Sequence, residues 1–218
     1  MKNVIASWSG GKDSCFACYK AMQSGYTVSY LANTISKEYK RVRFHGVENM
    51  VIQVQAHAVG IPLLQKETSA DHYEQEFKEN IRSVIAHGIQ GVVFGDIHLR
   101  DCLAWARKVC SDLGVEAIEP LWGIDPEKIL SDFIKAGFKA IVVSTQADLL
   151  GEEWVGRTLD ASFLRDIRNV KTIDPCGENG EYHTLVIDGP MFKQRIHIEE
   201  SQKVLRQGYW FLDIKKYR

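Results

Sequence analysis

Short apolar runs alternate with amphipathic stretches through the first 120 residues. A run at 4–7 predicts a strand, 13–23 a helix ended by Ser24-Gly25, and 26–34 a second strand. At 48–59, Met50, Val51, Val54 and Ala58 recur at helical spacing on one side, and Gly60 and Pro62 stop the pattern. Leu63-Leu64 opens a short strand. Residues 72–87 form a helical pattern carrying Phe77, Ile81, Val84 and Ile85, closed by Gly88. The uninterrupted run at 91–94 predicts a strand buried on both faces, ending at Gly95-Asp96. A helix at 99–113 and a strand at 115–118 complete a βα rhythm. Such a rhythm predicts an α/β fold built on a doubly wound, mostly parallel sheet.

The pattern changes at Pro120-Leu121-Trp122-Gly123-Ile124-Asp125-Pro126. Asp125 before Pro126 and Glu127 predicts a helix cap with proline in the first turn. A helix at 127–136 precedes a strong strand at 138–144, and a second helix spans 159–167. A glycine-rich turn at 175–180 then leads to a strand at 182–187, and Asp188-Gly189-Pro190 turns the chain. These features predict a boundary near 122–126, with a main domain at 1–124 and a smaller α/β domain at 125–218. The pattern leaves the direction of the second sheet open.

Composition narrows the class. With 27 Lys and Arg against 28 Asp and Glu, the formal net charge is -1, so no global field draws the chain to nucleic acid, and direct binding is not expected. From Met191 onward seven basic residues face three acidic ones, which reads equally as a docking face and as the solvated side of an amphipathic tail. Five cysteines, an odd number, suggest reduced thiols rather than a disulfide framework. No signal-peptide pattern and no long uncharged apolar segment is visible, so the expectation is a cytoplasmic protein without a membrane span.

The chemistry begins directly after the first strand, at Ser9-Gly10-Gly11-Lys12-Asp13-Ser14. Two adjacent glycines remove β-carbons where a backbone must bend around an anion. Ser9 and Ser14 add hydroxyl donors, and the N–H groups of the following helix complete a nest for phosphate. Lys12 can neutralise charge developing on leaving phosphates. Asp13 is suited to Mg2+ or to capping the helix. Neither the kinase-type P-loop nor the dinucleotide Gly-x-Gly-x-x-Gly pattern is present. The segment nevertheless points to a nucleotide and to ATP cleavage.

This loop resembles that of the ATP pyrophosphatases, or adenine nucleotide alpha hydrolases. The resemblance implies ATP bound with Mg2+ on a doubly wound sheet, attack of a substrate oxygen on the α-phosphate, an adenylate, and released pyrophosphate that Lys12 and the glycine amides would stabilise. Further segments narrow the group: Gly95-Asp96-Ile97 with His98 and Arg100, then Glu119-Pro120-Leu121-Trp122, then Cys176-Gly177-Glu178-Asn179-Gly180-Glu181-Tyr182-His183-Thr184, and finally 186–192. Together they resemble the diphthine–ammonia ligase family over residues 3–193, with Asn179 where that family usually carries glycine. The resemblance implies an ATP-dependent ligase that adenylates the carboxylate of diphthine on elongation factor 2 and amidates it with ammonia. Two alternatives are adenylation of another small-molecule or RNA substrate, including thiolation, and a nucleotide sensor without turnover.

Several residues carry two readings. Glu178 and Glu181, three apart among glycines, either face one pocket, holding the trimethylammonio group or orienting ammonia, or cap a turn. Gly95 and Asp96 sit at the carboxyl end of a strand, where open α/β sheets place ligands. Asp96 suits Mg2+ or ribose, or caps the next helix. His45 is a candidate contact for adenosine or phosphate and equally a surface-loop residue. Cys15 and Cys18 read as core, and no four-ligand zinc spacing occurs. In a strand, His183 and Thr184 face opposite sides. A homo-oligomer is compatible with the chain.

Overall fold

The computed structural model describes residues 1–38 and 48–218. Five parallel strands, β1 (Asn3–Ser7), β2 (Thr27–Ser36), β3 (Leu63–Thr68), β4 (Ile89–Val93) and β5 (Glu116–Ile118), form one sheet in the order β3-β2-β1-β4-β5. Helices α1 (Lys12–Gln23), α2 (Asn49–Val59), α3 (Tyr73–Ile85) and α4 (Arg100–Leu113) connect them. From β1 the chain winds one way through β2 and β3 and then returns past β1 to β4 and β5. The order therefore reverses between β1 and β4, which opens a crevice beyond their carboxyl ends.

Burial of both faces explains the near-continuous apolar strands. In β1, Val4 and Ala6 join a core with α1 and α2, while Ile5, on the opposite face, joins Phe77, Ile81 and Val84 of α3 and Ala106, Val109 and Cys110 of α4. Alternation at a period of two assigns each residue to its layer.

The second sheet is antiparallel, which settles its direction. Strands β6 (Lys139–Gln146), β7 (Tyr182–Asp188), β8 (Ile198–Arg206) and β9 (Tyr209–Tyr217) run in the order β7-β6-β9-β8. Helices α5 (Pro126–Lys135) and α6 (Ala161–Ile167) accompany it. Asp125 caps α5 as expected, accepting from the Lys128 N–H at 2.9 Å. Helix α6 starts two residues later than its apolar pattern because Asp160 accepts from the N–H groups of Ser162 and Phe163, each at 2.9 Å.

The two sheets share one core rather than meeting at a polar seam. Phe133 and Phe138 stack at 4.8 Å, and Phe16 of α1 meets them edge-on at 5.8 and 6.0 Å. Most of the basic tail forms the β8–β9 hairpin. Its turn uses Gln207 and Gly208, both with positive φ, as tight hairpins require. Glutamine is not a usual turn residue, and β8 is exposed along most of its length, so neither signal was visible in the sequence. Among the described residues no helix is long and apolar enough to cross a membrane.

Candidate active site

A cavity of about 640 Å³ opens at the crevice between β1 and β4. Its walls include Ser9, Asp13 and Ser14 from the loop after β1, Gly95 and Asp96 after β4, and Glu178 from the turn before β7. The phosphate-loop pattern and the second motif, some 170 residues apart, thus share one space.

The loop is shaped from beneath. Gly11 is the N-cap of α1 and no side chain caps the helix, so Asp13 does not serve as a cap. A helix start without a side-chain cap leaves donors for an anion. The Ser9 hydroxyl lies 3.2 Å from that of Ser14 and accepts from the Gly11 N–H at 3.3 Å. Gly10 adopts φ +81°, a conformation costly for residues with a side chain. Its carbonyl accepts from the Val186 N–H of β7 at 2.9 Å. Thr184 of β7 accepts from the Lys12 N–H at 2.9 Å, so its hydroxyl braces the loop from outside the cavity. Gly95 makes the approach from β4 possible: a β-carbon there would lie 2.8 to 3.0 Å from backbone atoms of Asp13 and Ser14.

Lys12 turns under the loop. Its side chain is 4% exposed, and its ammonium donates to Asp13 at 2.8 Å and to the Cys176 carbonyl. It also sits 5.2 Å from the centre of the Tyr182 ring. Burial works against its charge, but the Asp13 carboxylate, with Tyr182 and Cys176, more than offsets this and holds its pKa well above the ordinary lysine value. The cation therefore links the nucleotide loop to the turn that carries Glu178.

Asp13, Asp96 and Glu178 converge electrostatically. Burial pushes Asp96 up to about 6, helped by the nearby charges of Glu119 and Asp13. Burial likewise pushes Glu178 up to about 7, with Asp13 adding and Lys12 opposing. Glu178 accepts from the Ile97 N–H at 3.3 Å, which ties its turn to the end of β4. Asp96 does not cap a helix, because α4 begins at Arg100 with Leu99 as its N-cap. The Asp13 Oδ1 atom is buried without a hydrogen-bond partner.

Glu181 is placed differently from Glu178. It is 3% exposed and is not in the cavity wall. Its oxygens accept from the N–H groups of Asp174 at 2.8 Å and Asn179 at 2.9 Å, and from the Asn179 amide at 3.1 Å. Glu181 therefore braces the turn that presents Glu178. His45 lies outside the described residues.

Some features of the site gave no sequence signal. Tyr73, Phe77, Phe94 and Trp105 form an aromatic wall, with Trp105 at 5.6, 5.3 and 6.2 Å from the rings of Tyr73, Phe77 and Phe94. Phe77 registered only as a core position, because helical spacing does not reveal where a core opens into a cavity. Asp174 accepts from the N–H groups of Cys176 and Glu178 at 2.8 and 3.4 Å and lies 3.7 Å from His98. Cys15, Cys18 and Cys176 are buried free thiols, and among the described residues no three His, Cys, Asp or Glu side chains lie close enough together to hold a metal ion by themselves.

The doubly wound sheet, the glycine loop at its switch point and the facing carboxylates define a nucleotide-binding α/β protein of the phosphate-loop ATPase group. Two family profiles then divide the chain between them: the diphthamide synthase N-terminal domain matches residues 1–117 and the diphthamide synthase C-terminal domain residues 125–218. The chain belongs to the diphthamide synthase family. Similar proteins include the diphthine–ammonia ligase of Danio rerio, 28% identical over 97% of this chain and 92% of that protein. The Mus musculus diphthine–ammonia ligase is 26% identical over 99% of this chain and 90% of its own length. That of Schizosaccharomyces pombe is 29% identical over 92% of this chain, a match that spans 37% of the longer yeast protein. Family membership implies ATP- and Mg2+-dependent ligase chemistry.

Proposed function

We propose that the chain activates the carboxylate of diphthine on elongation factor 2 as an acyl-adenylate, releases pyrophosphate, and lets ammonia displace AMP to give diphthamide. The observation that carries this reading is that Glu178, from the second motif, lines the same cavity as the phosphate loop. Residues 1–124 hold the nucleotide in this scheme, and 125–218 bring the acceptor to it.

Ser9, Gly10, Gly11 and Ser14, with the start of α1, bind the phosphates, and Gly95 lets β4 close against them. The aromatic wall takes the adenine, whose flat apolar faces stack on rings. Asp13 and Asp96 suit Mg2+ bound together with phosphate: they are oxygen donors, and Asp13 Oδ1 has no protein partner. One or two carboxylates beside phosphates are the usual Mg2+ environment, so a cage built of protein alone is not needed. Bound there, Mg2+ would neutralise charge on the phosphate oxygens. Lys12 supports this by pairing with Asp13 from below.

Glu178 handles the proton. Ammonium has no free electron pair, so it must give up a proton before or during attack. A carboxylate titrating at about 7 is matched to that transfer near neutral pH. Burial among acids also favours a cation arriving as ammonium. Glu181 contributes by holding the turn. The free thiols agree with a cytoplasmic setting.

The test is product analysis. ATP with ammonium and diphthine-bearing elongation factor 2 should yield AMP, pyrophosphate and diphthamide, and omitting the acceptor should abolish AMP formation. Release of ADP and phosphate, or AMP formation indifferent to the acceptor, overturns the proposal.

A further inference from the structure

Gln55, in the middle of α2, is fully buried, with 0% of its surface exposed. Its amide makes three hydrogen bonds. The oxygen accepts from the Trp8 indole N–H at 2.7 Å, and the nitrogen donates to the carbonyls of Gly10 at 2.9 Å and Val186 at 2.7 Å. The orientation of the amide is unambiguous, because an indole N–H can only donate and a carbonyl can only accept. One side chain therefore joins α2, the nucleotide loop and β7.

We propose that Gln55 is a positioning residue that locks the Gly10–Gly11 peptide plane in the orientation that binds phosphate; the inference rests on the reading of this loop as the ATP site. In a trans peptide the C=O and the following N–H point in opposite directions, and no peptide bond among the described residues is cis. With the Gly10 carbonyl held back toward α2 and β7, the Gly11 N–H emerges on the opposite side, where it donates to the hydroxyl of Ser9, a residue of the cavity wall, at 3.3 Å. A peptide flanked by two glycines meets little steric resistance to flipping. Flipped, it would present a carbonyl oxygen to the phosphates. The glycines that let the loop curve around an anion thus also make it prone to turn the wrong way, and the Gln55 amide, together with the Val186 N–H that donates to the same carbonyl, removes that freedom. The fit is close on both sides: a β-carbon on Gly10 would come within 2.6 Å of the Gln55 carbonyl oxygen and 2.5 Å of Ile52.

The experiment is MgATP binding by calorimetry on the full chain, well below its unfolding temperature. Gln55→Met keeps the length of the side chain and deletes both donors. Its Kd should rise about tenfold or more, the scale of one hydrogen bond's worth of preorganisation. Val59→Ala, a core truncation on the same helix away from the loop, should lower Tm while leaving Kd within about twofold. A Gln55→Met protein that binds MgATP as the wild type does overturns the proposal. Failure of the wild type to bind MgATP would instead refute the nucleotide reading itself.

Gln55→Glu is read independently, as the ratio of its Kd to that of the wild type across pH. A protonated Glu retains one donor and an ionised Glu has none, so the ratio should climb as pH rises. A residue that merely filled the core would give a constant ratio, and that result also overturns the proposal.

Discussion

Replacing Gly95 with alanine tests whether the close approach of β4 to α1 positions the phosphate loop. The new β-carbon would lie 2.8 Å from the Asp13 carbonyl carbon, 2.9 Å from the Ser14 nitrogen and 3.0 Å from the Asp13 oxygen. All three are backbone atoms, so no flexible side-chain end can yield. Overpacking of this kind costs about 1–3 kcal/mol. The lower entropy of the unfolded alanine chain returns about 0.4–1 kcal/mol. The net loss of up to about 2.6 kcal/mol corresponds to a Tm drop of up to about 10 °C in a chain of this size. Relief must come from moving the first turn of α1 or the end of β4, and either shift displaces phosphate donors. A misplacement well under 1 Å should raise the Kd for MgATP about tenfold. Gly91→Ala is the control: its β-carbon would crowd Ile118 at 2.7 Å and the Glu116 carbonyl at 3.1 Å, away from the loop. Thermal unfolding and calorimetric titration of both variants decide the matter. Equal losses of stability with unchanged MgATP affinity in Gly95→Ala would refute the reasoning.

Four other substitutions probe the carboxylates and the lysine paired with them. Because Glu178 titrates at about 7, the ammonia-dependent rate should rise through that pH and level above it, and Glu178→Gln should lose this limb of the pH–rate profile. The native pKa of Glu178 lies above its ordinary value of 4.5, so the folded chain binds that proton more tightly and stability falls as pH rises toward 7. Glu178→Gln should therefore gain about 1–3 kcal/mol in urea denaturation at alkaline pH while losing activity. Glu181→Gln exchanges a carboxylate that accepts three N–H groups for an amide with one acceptor oxygen; it should lose about 1–3 kcal/mol of stability and keep the wild-type pH midpoint. Lys12→Met leaves Asp13 without its cation and should cost about 3–5 kcal/mol. Adding Asp13→Asn should recover part of that stability, but not MgATP-dependent turnover, in a double-mutant cycle.

The sequence alone determined the doubly wound half, its order of strands and helices, and the phosphate loop. Each rests on local chemistry: period-two and period-3.6 patterning, turn glycines, and a six-residue anion motif. The Asp125 cap was legible for the same reason. The β8–β9 hairpin was not, because its strand is exposed on both faces and glutamine occupies a left-handed turn position. Tertiary structure alone separated Glu178 from Glu181, three residues apart and alike in chemistry. Only the packed turn shows that one lines the cavity while the other is consumed by backbone N–H groups. It likewise turned Lys12 beneath the loop and placed Gln55 against Gly10, 45 residues away. Motifs report which groups the chain carries, and packing decides which of them face the cavity. Burial and the exchange of hydrogen bonds between distant segments depend on every neighbour at once, so no local pattern encodes them.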